Sequence, residues 1–119
     1  TSTNYSYGDT ESLNWMWFNA NSSQTNEVGT TTSKPNPWGL YDMHGNVMEL
    51  CRDFYEYDDY TSATVDDPQG PPTGTSHRAR GGNWQNTAAG CRSSYRFGAS
   101  PTQTQSYLGF RVCFTPASD

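Results

Sequence analysis

Three thiols, two imidazoles, twelve carboxylates and six guanidiniums are the groups in this chain that could do chemistry. Cys51, Cys91 and Cys113 include no CxxC pair, so their spacing does not indicate a zinc site. An odd count permits at most one intrachain disulfide and leaves a thiol over. The three read as small buried residues, with a disulfide as the alternative, and they leave the redox compartment open. His44 and His77 read as surface or turn residues. The acids and arginines are segregated: eight of the twelve acids lie between Asp42 and Asp67, and five of the six arginines between Arg78 and Arg111. Solvated faces are the bland reading of such blocks. Pairing within the fold is the sharper one, because the arginine fork suits a carboxylate bidentately. Such pairs fix geometry more than they add net stability. Arg92, Arg96 and Arg111 are therefore expected in the scaffold, with Glu49 and Asp53 as partners.

A second kind of chemistry is recognition. From Arg80 to Cys113 two sets of residues are interleaved. Arg80-Gly81-Gly82, Trp84, Ala88, Cys91-Arg92-Ser93, Arg96, Pro101 and Gly109-Phe110-Arg111 could hold a backbone. Gln85 to Thr87, Ala89, Gly90, Tyr95, Phe97 to Ser100 and Thr102 to Tyr107 are small, polar or aromatic, with no pattern of their own. A ligand could read this second set; plain solvent-exposed loop is the alternative.

Composition bounds what can position these groups. The length supports one small domain. Only 32% of residues are hydrophobic, which raises disorder, but four Trp, eight Tyr and five Phe supply large burial per residue. A compact, loop-rich domain with an aromatic core and little helix follows. With net charge −5 and Lys34 as its only lysine, the chain lacks the basic stripe of a nucleic-acid binder. No apolar run approaches a membrane span, no signal-peptide pattern opens the sequence, and no apolar surface patch is expected.

Along the chain, residues 1–11 are polar and turn-like. Leu13 to Phe18 reads as a strand or extended core segment, and Asn19 to Pro37 as loop. Gly45-Asn46 is a turn signal. After it, Val47, Glu49, Cys51 and Asp53 alternate with Met48, Leu50, Arg52 and Phe54, a period of two that suggests a strand presenting Glu49 and Asp53 side by side; a helix is the competing reading. Tyr57 to His77 is surface loop. Gly81-Gly82 would let another backbone approach closely. Cys91 to Phe97 and Leu108 to Phe114 read as the last two strands, with loops at 85–90 and 98–107.

The series Asn36…Gly39-Leu40-Tyr41-Asp42-Met43…Gly45-Asn46-Val47…Glu49, Asp53, Asp67-Pro68…Gly70-Pro71, Arg80-Gly81-Gly82…Trp84…Cys91-Arg92-Ser93…Tyr95-Arg96…Gly109-Phe110-Arg111 resembles the formylglycine-generating enzyme (sulfatase-modifying factor) family. The resemblance covers nearly everything from Trp15 onward. It implies an α+β, loop-rich variant of the C-type lectin fold in a single domain over residues 1–119, lacking the longer N-terminal part that family domains carry. That missing part is itself a candidate partner.

The family's oxidases hold copper on two cysteines whose matching positions here are Asn86 and Cys91. One thiolate is gone, so no copper and no catalysis are expected; a copper oxidase or other enzymatic member is the alternative. Two histidines cannot supply the three-histidine iron site of a related branch. The 80–113 stretch also resembles the variable region of proteins diversified by retroelements in bacteria and phages. That resemblance implies a noncatalytic domain at a cell surface, secreted, or on a phage particle, which binds a protein ligand. The contact positions it implies are Gln85, Asn86, Thr87, Ala89, Gly90, Tyr95, Phe97, Gly98, Ala99, Ser100, Gln103, Gln105, Ser106 and Tyr107. Tyr95, Phe97 and Tyr107 would be anchors and the amides and hydroxyls adaptable contacts. A structural domain of a surface assembly is the third reading. No Glu-Pro-Asn-type sugar motif is present, and fold alone does not carry function. The family resemblance further implies a structural calcium on Asp42 and Glu49, with backbone oxygens of Gly45 and Val47.

Overall fold

The computed structural model describes residues 4–5, 15–30, 34–57, 64, 66 and 68–114. Most of the polar opening, the start of the Leu13 to Phe18 run and much of the acidic loop lie outside the described residues. Four strands form one sheet: β1 (Met48–Phe54), β2 (His77–Arg80), β3 (Phe97–Ala99) and β4 (Leu108–Phe110). Their spatial order is β3-β2-β1-β4. β1 pairs antiparallel with β2 through Glu49–Arg80, Leu50–Ala79 and Phe54–His77, and parallel with β4 through Met48–Leu108 to Leu50–Phe110. β3 pairs antiparallel with β2. Among the described residues the helical content is one 3-10 turn, Ala88–Cys91.

The alternation after Asn46 makes a strand, and the helix alternative falls. An irregularity between Leu50 and Phe54 interrupts it. Arg52, expected on the apolar face, is exposed, and Glu49 and Asp53 turn to different arginines. Two hydrophobic clusters result. One, of Met48, Ala79 and Ala99 with Leu50, Tyr95, Phe97 and Leu108 against it, backs the sheet. The other, of Tyr5, Met16, Phe18, Ala88 and Cys91, sits under the 3-10 turn.

Between them lies the Gly45-Asn46 turn, with φ of 73° and 59°. Asn46 donates its N–H to the Trp17 carbonyl and accepts from Trp84 N–H, and its side-chain amide exchanges two bonds with the backbone of Asn26. Gly45 N–H donates to Gly81 O. The glycine pair performs as expected: a Cβ on Gly82 would meet Gly90 O at 2.5 Å and Cys91 Sγ at 2.7 Å.

Of the run read as a strand or extended core segment, the described part is extended core, with Met16 and Phe18 buried. Trp15 to Phe18 makes only a single bridge, Trp17 to Gly45, because Asn21 turns the chain at once. Its side chain accepts from Phe18 N–H and donates to Met16 O. Two expected strands differ. Cys91 to Phe97 is a 3-10 end and a turn, and the strand begins only at Phe97. Arg80 Nη1 takes the carbonyls of Ser93, Ser94 and Tyr95, which a strand would have given to a ladder. The last strand stops at Phe110. Beyond it Val112 and Phe114 are exposed, as is Phe110 itself at 76%, and elsewhere Trp38 and Val28 are exposed too.

Candidate binding face

The face divides at Cys91. In its first half, side-chain amides replace regular structure. Asn83, buried, accepts Gln85 N–H on Oδ1. Asn86 accepts Asn83 N–H on Oδ1, donates its own N–H to Asn83 O, and its carbonyl accepts Asn19 N–H. Gly90 N–H donates to Thr87 O, and a Cβ on Gly90 would reach Asn86 Cβ at 3.0 Å. Asn86 and Gly90 thus hold the loop rather than present it. Gln85, Thr87 and Ala89 are exposed on that fixed backbone.

Cys91 closes the loop from below. It has no exposed surface, and its Sγ lies 3.7 Å from Asn83 O. Burial pushes its thiol up to about 11, against smaller opposing hydrogen bonds from the Asn83 and Gly45 backbone. A thiol held protonated in this way is a poor metal ligand and nucleophile. His44 corrects the surface-histidine reading. It is 4% exposed, its Nδ1 lies 2.7 Å from Cys91 O, and its ring meets Tyr5 edge-on at 5.4 Å. Burial lowers its pKa, and the Cys91 carbonyl opposes this. His77, half-buried, stacks on Phe54 at 4.7 Å.

In the second half the expected anchors are partly structural. Tyr95 and Phe97 pack against the sheet's cluster. Ala99 is wholly buried and leaves the contact set, and a Cβ on Gly98 would strike Tyr55 at 2.7 Å. The pleat explains this: in a three-residue edge strand, alternate side chains must face the core. Ser100 and Gln103 close a turn through Gln103 N–H to Ser100 O. Gln103 Nε2 then donates to Tyr107 Oη at 3.3 Å. Gln105 and Ser106 are exposed, and a shallow groove of about 160 Å³ runs from Gln103 to Phe110 beside Leu50.

The arginines sort into two kinds. Arg111 holds both Glu49 oxygens, at 2.7–3.0 Å, and takes the carbonyls of Tyr41 and Asp42 at 2.9 and 3.3 Å. Glu49 raises its pKa further. Asp53 pairs instead with Arg78, at 3.2 Å. Arg96 reaches the carbonyls of Glu56 and Tyr57, and Arg92 that of Ala89 in the 3-10 turn.

Asp42 and Glu49 are also the side chains of the expected calcium site. Asp42, buried, accepts Gly29 N–H on Oδ2, and Glu49 faces a guanidinium. The cation seated between Glu49 and the backbone carbonyls is Arg111, and no group of three metal-binding side chains gathers among the described residues. Calcium is held by six to eight oxygens, backbone carbonyls among them, and here the Glu49 carboxylate is paired with Arg111.

The model of the "Sulfatase-modifying factor enzyme 1-like domain" matches residues 1–116. The chain belongs to that family. Among solved structures this family member is similar to "Treponema denticola variable protein 1", with a TM-score of 0.82 and 38% identity over 92% of this chain and 40% of that one. PvdO from Pseudomonas aeruginosa has the same fold, with a TM-score of 0.69 and 23% identity over 87% of this chain. The loop-rich C-type lectin-like architecture of sulfatase-modifying factor proteins is thus present, with a small mixed sheet and little helix. A formylglycine-generating enzyme of Thermomonospora curvata is 36% identical over 69% of this chain and 29% of its own. The serine/threonine-protein kinase pkn1 of Chlamydia pneumoniae is 43% identical over 65% of this chain and 13% of its own. The chain therefore spans less than a third of the curated relatives it matches.

Sequence reasoning found the segment but could not divide it. Asn83 escaped notice and His44 read as a surface or turn residue, because a buried polar residue has the same letter as an exposed one.

Proposed function

We propose that this domain is a noncatalytic recognition module, a retroelement-diversified variable protein that contacts a protein ligand through the exposed residues of 85–107. One observation carries the reading. Gln85, Thr87, Ala89, Gln105 and Ser106 are exposed between backbone segments that Asn83, Asn86, Arg80 and Gln103 pin by hydrogen bonds. Their side chains can change without disturbing a core, which is what an adaptable paratope needs. The likeness to a solved variable protein supports it. The copper chemistry of the family is disfavoured because Asn86 is a structural amide and Cys91 a buried, protonated thiol.

The test is a displayed library randomised at Gln85, Thr87, Ala89, Gln105 and Ser106 and selected against unrelated proteins. Binders should emerge with melting temperatures near the parent's. Collapse of most variants, or copper-dependent oxidation of a cysteine peptide by the parent, would sink the reading. In the genome, a reverse transcriptase beside a near-copy of the segment encoding 80–113 is the expected neighbourhood.

A second reading has its own observation. Phe110 at the end of β4 and Val112 and Phe114 just beyond it are exposed, as they would be in a structural domain that packs within a larger assembly.

A further inference from the structure

The interposed residues surround one charged group that belongs to the fixed set. Arg92 was expected to pair with an acid in the scaffold. Among the described residues it pairs with none. Its Nε donates to Ser94 Oγ at 2.9 Å and its Nη1 to Ala89 O at 2.6 Å. Its guanidinium carbon lies 5.5 Å from the centre of the Tyr95 ring. All three partners are neutral. Arg111 and Arg78, by contrast, each have a carboxylate. The local sequence offers no substitute, since no Asp or Glu occurs from Pro68 to Ser118.

The side chain is also held still. The Arg92–Tyr95 turn closes through Tyr95 N–H to Arg92 O, and Arg80 clamps the carbonyls of Ser93, Ser94 and Tyr95. Tyr95 is packed on the sheet's core. Half-buried Arg92 thus stands on a rigid ring, between exposed Ala89 and exposed Ser93 and Ser94. Among the described residues its Nη2 and the second hydrogen of Nη1 have no hydrogen-bond partner, and together they form a two-donor edge of the kind that takes a carboxylate bidentately.

We infer that Arg92 is a constant ligand contact within the variable face and that it selects partners carrying an exposed Asp or Glu. This rests on the recognition reading above and gives the partner a chemistry. The ordering cost of the side chain is met during folding, so little is lost on binding. Rigid arginine and tyrosine together are the composition of an interface hot spot. Whatever the neighbouring positions display, the face keeps one fixed preference for acidic surfaces. A long polyanion such as nucleic acid is disfavoured by the net charge of −5.

The experiment selects a random peptide library against the unchanged domain and sequences the bound pool. Asp and Glu should be enriched at least about twofold over the input. Bound peptides should lose about tenfold or more in affinity to Arg92→Gln, as expected for a charge-assisted pair. Arg92→Lys keeps the charge and the ring contact but not the fork, and should recover only part of the loss. Should Arg92→Gln not fold, the Lys variant and the acid content of the pool still decide. A pool without acid enrichment, no recoverable binder, equal binding by parent and Arg92→Gln, or an oligonucleotide held more tightly than the peptides would each overturn the inference. Acid-rich peptides that ignore changes at Gln85 and Gln105 would leave Arg92 standing and defeat the wider face instead.

Discussion

Replacing Arg111 with Ala removes the clamp between the strand β1 and the Tyr41–Asp42 turn. Three N–O contacts to Glu49 and two to backbone carbonyls disappear. A fully buried pair broken on one side would cost several kcal/mol. This one is not fully buried, because the Arg111 and Glu49 side chains are 33% and 21% exposed, so solvent screens it. The ion pair then contributes about 1 kcal/mol, the upper end for exposed pairs. Two carbonyls losing a charged donor add about 1 kcal/mol more. The sum of about 2 kcal/mol corresponds to a fall of roughly 8 °C in melting temperature for a domain of this size. Thermal circular dichroism and urea titration measure it. Arg111→Lys should cost about half as much, because the charge stays and the fork goes. A cycle with Glu49→Gln should give a coupling near 1 kcal/mol that shrinks in about 1 M salt. An Arg111→Ala variant that melts with the parent would show that the clamp is ornamental and that the turn holds itself.

His44 sets an acid limit. Burial keeps its folded pKa below the ordinary 6.5, so the unfolded chain takes up the proton first as pH falls. Stability is then full above that pH and declines below it, until the folded pKa is reached. The fall in melting temperature from about pH 7 to about pH 5.5 should be shallower in His44→Gln than in the parent; equal slopes would clear the residue. Native thiol labelling should run in the order Cys113, Cys51, Cys91. Cys113 is exposed, Cys51 is half-buried with its thiol raised by burial and then by Asp53, and Cys91 should react only on unfolding. Early labelling of Cys91 would reopen the question of a reactive cysteine. Chelator should leave the melting temperature unchanged if Arg111 is the cation of the Glu49 cluster, whereas a rise of several degrees with added calcium would restore the ion that the family resemblance implies. Phe110→Ser with Phe114→Ser should lower self-association without lowering the melting temperature, since both side chains are exposed. A loss of stability would mean that these side chains belong to the core.

Turn and spacing signals determined much of this protein on their own. Gly45-Asn46 and Gly81-Gly82 could be read from the sequence because positive φ and close backbone approach demand glycine or asparagine whatever surrounds them. The alternation from Met48 was legible for a similar reason: a strand's two faces are a local property. The pairing of Arg111 with Glu49 could be foreseen in kind, because an arginine block and an acidic block in one small domain must meet. Tertiary structure decided which acid met which arginine. Asp53 went to Arg78 and Glu49 to Arg111 because of an irregularity in β1, and Arg92 was left with neutral partners. Only the fold could divide residues 85–107 into display and support. Ala99, Asn86 and Gly98 carry letters as suited to a ligand as Gln85 or Ser106, yet packing spends the first three on the core and its loops. Burial belongs to the neighbours a residue acquires, and most of the neighbours here are distant in the chain.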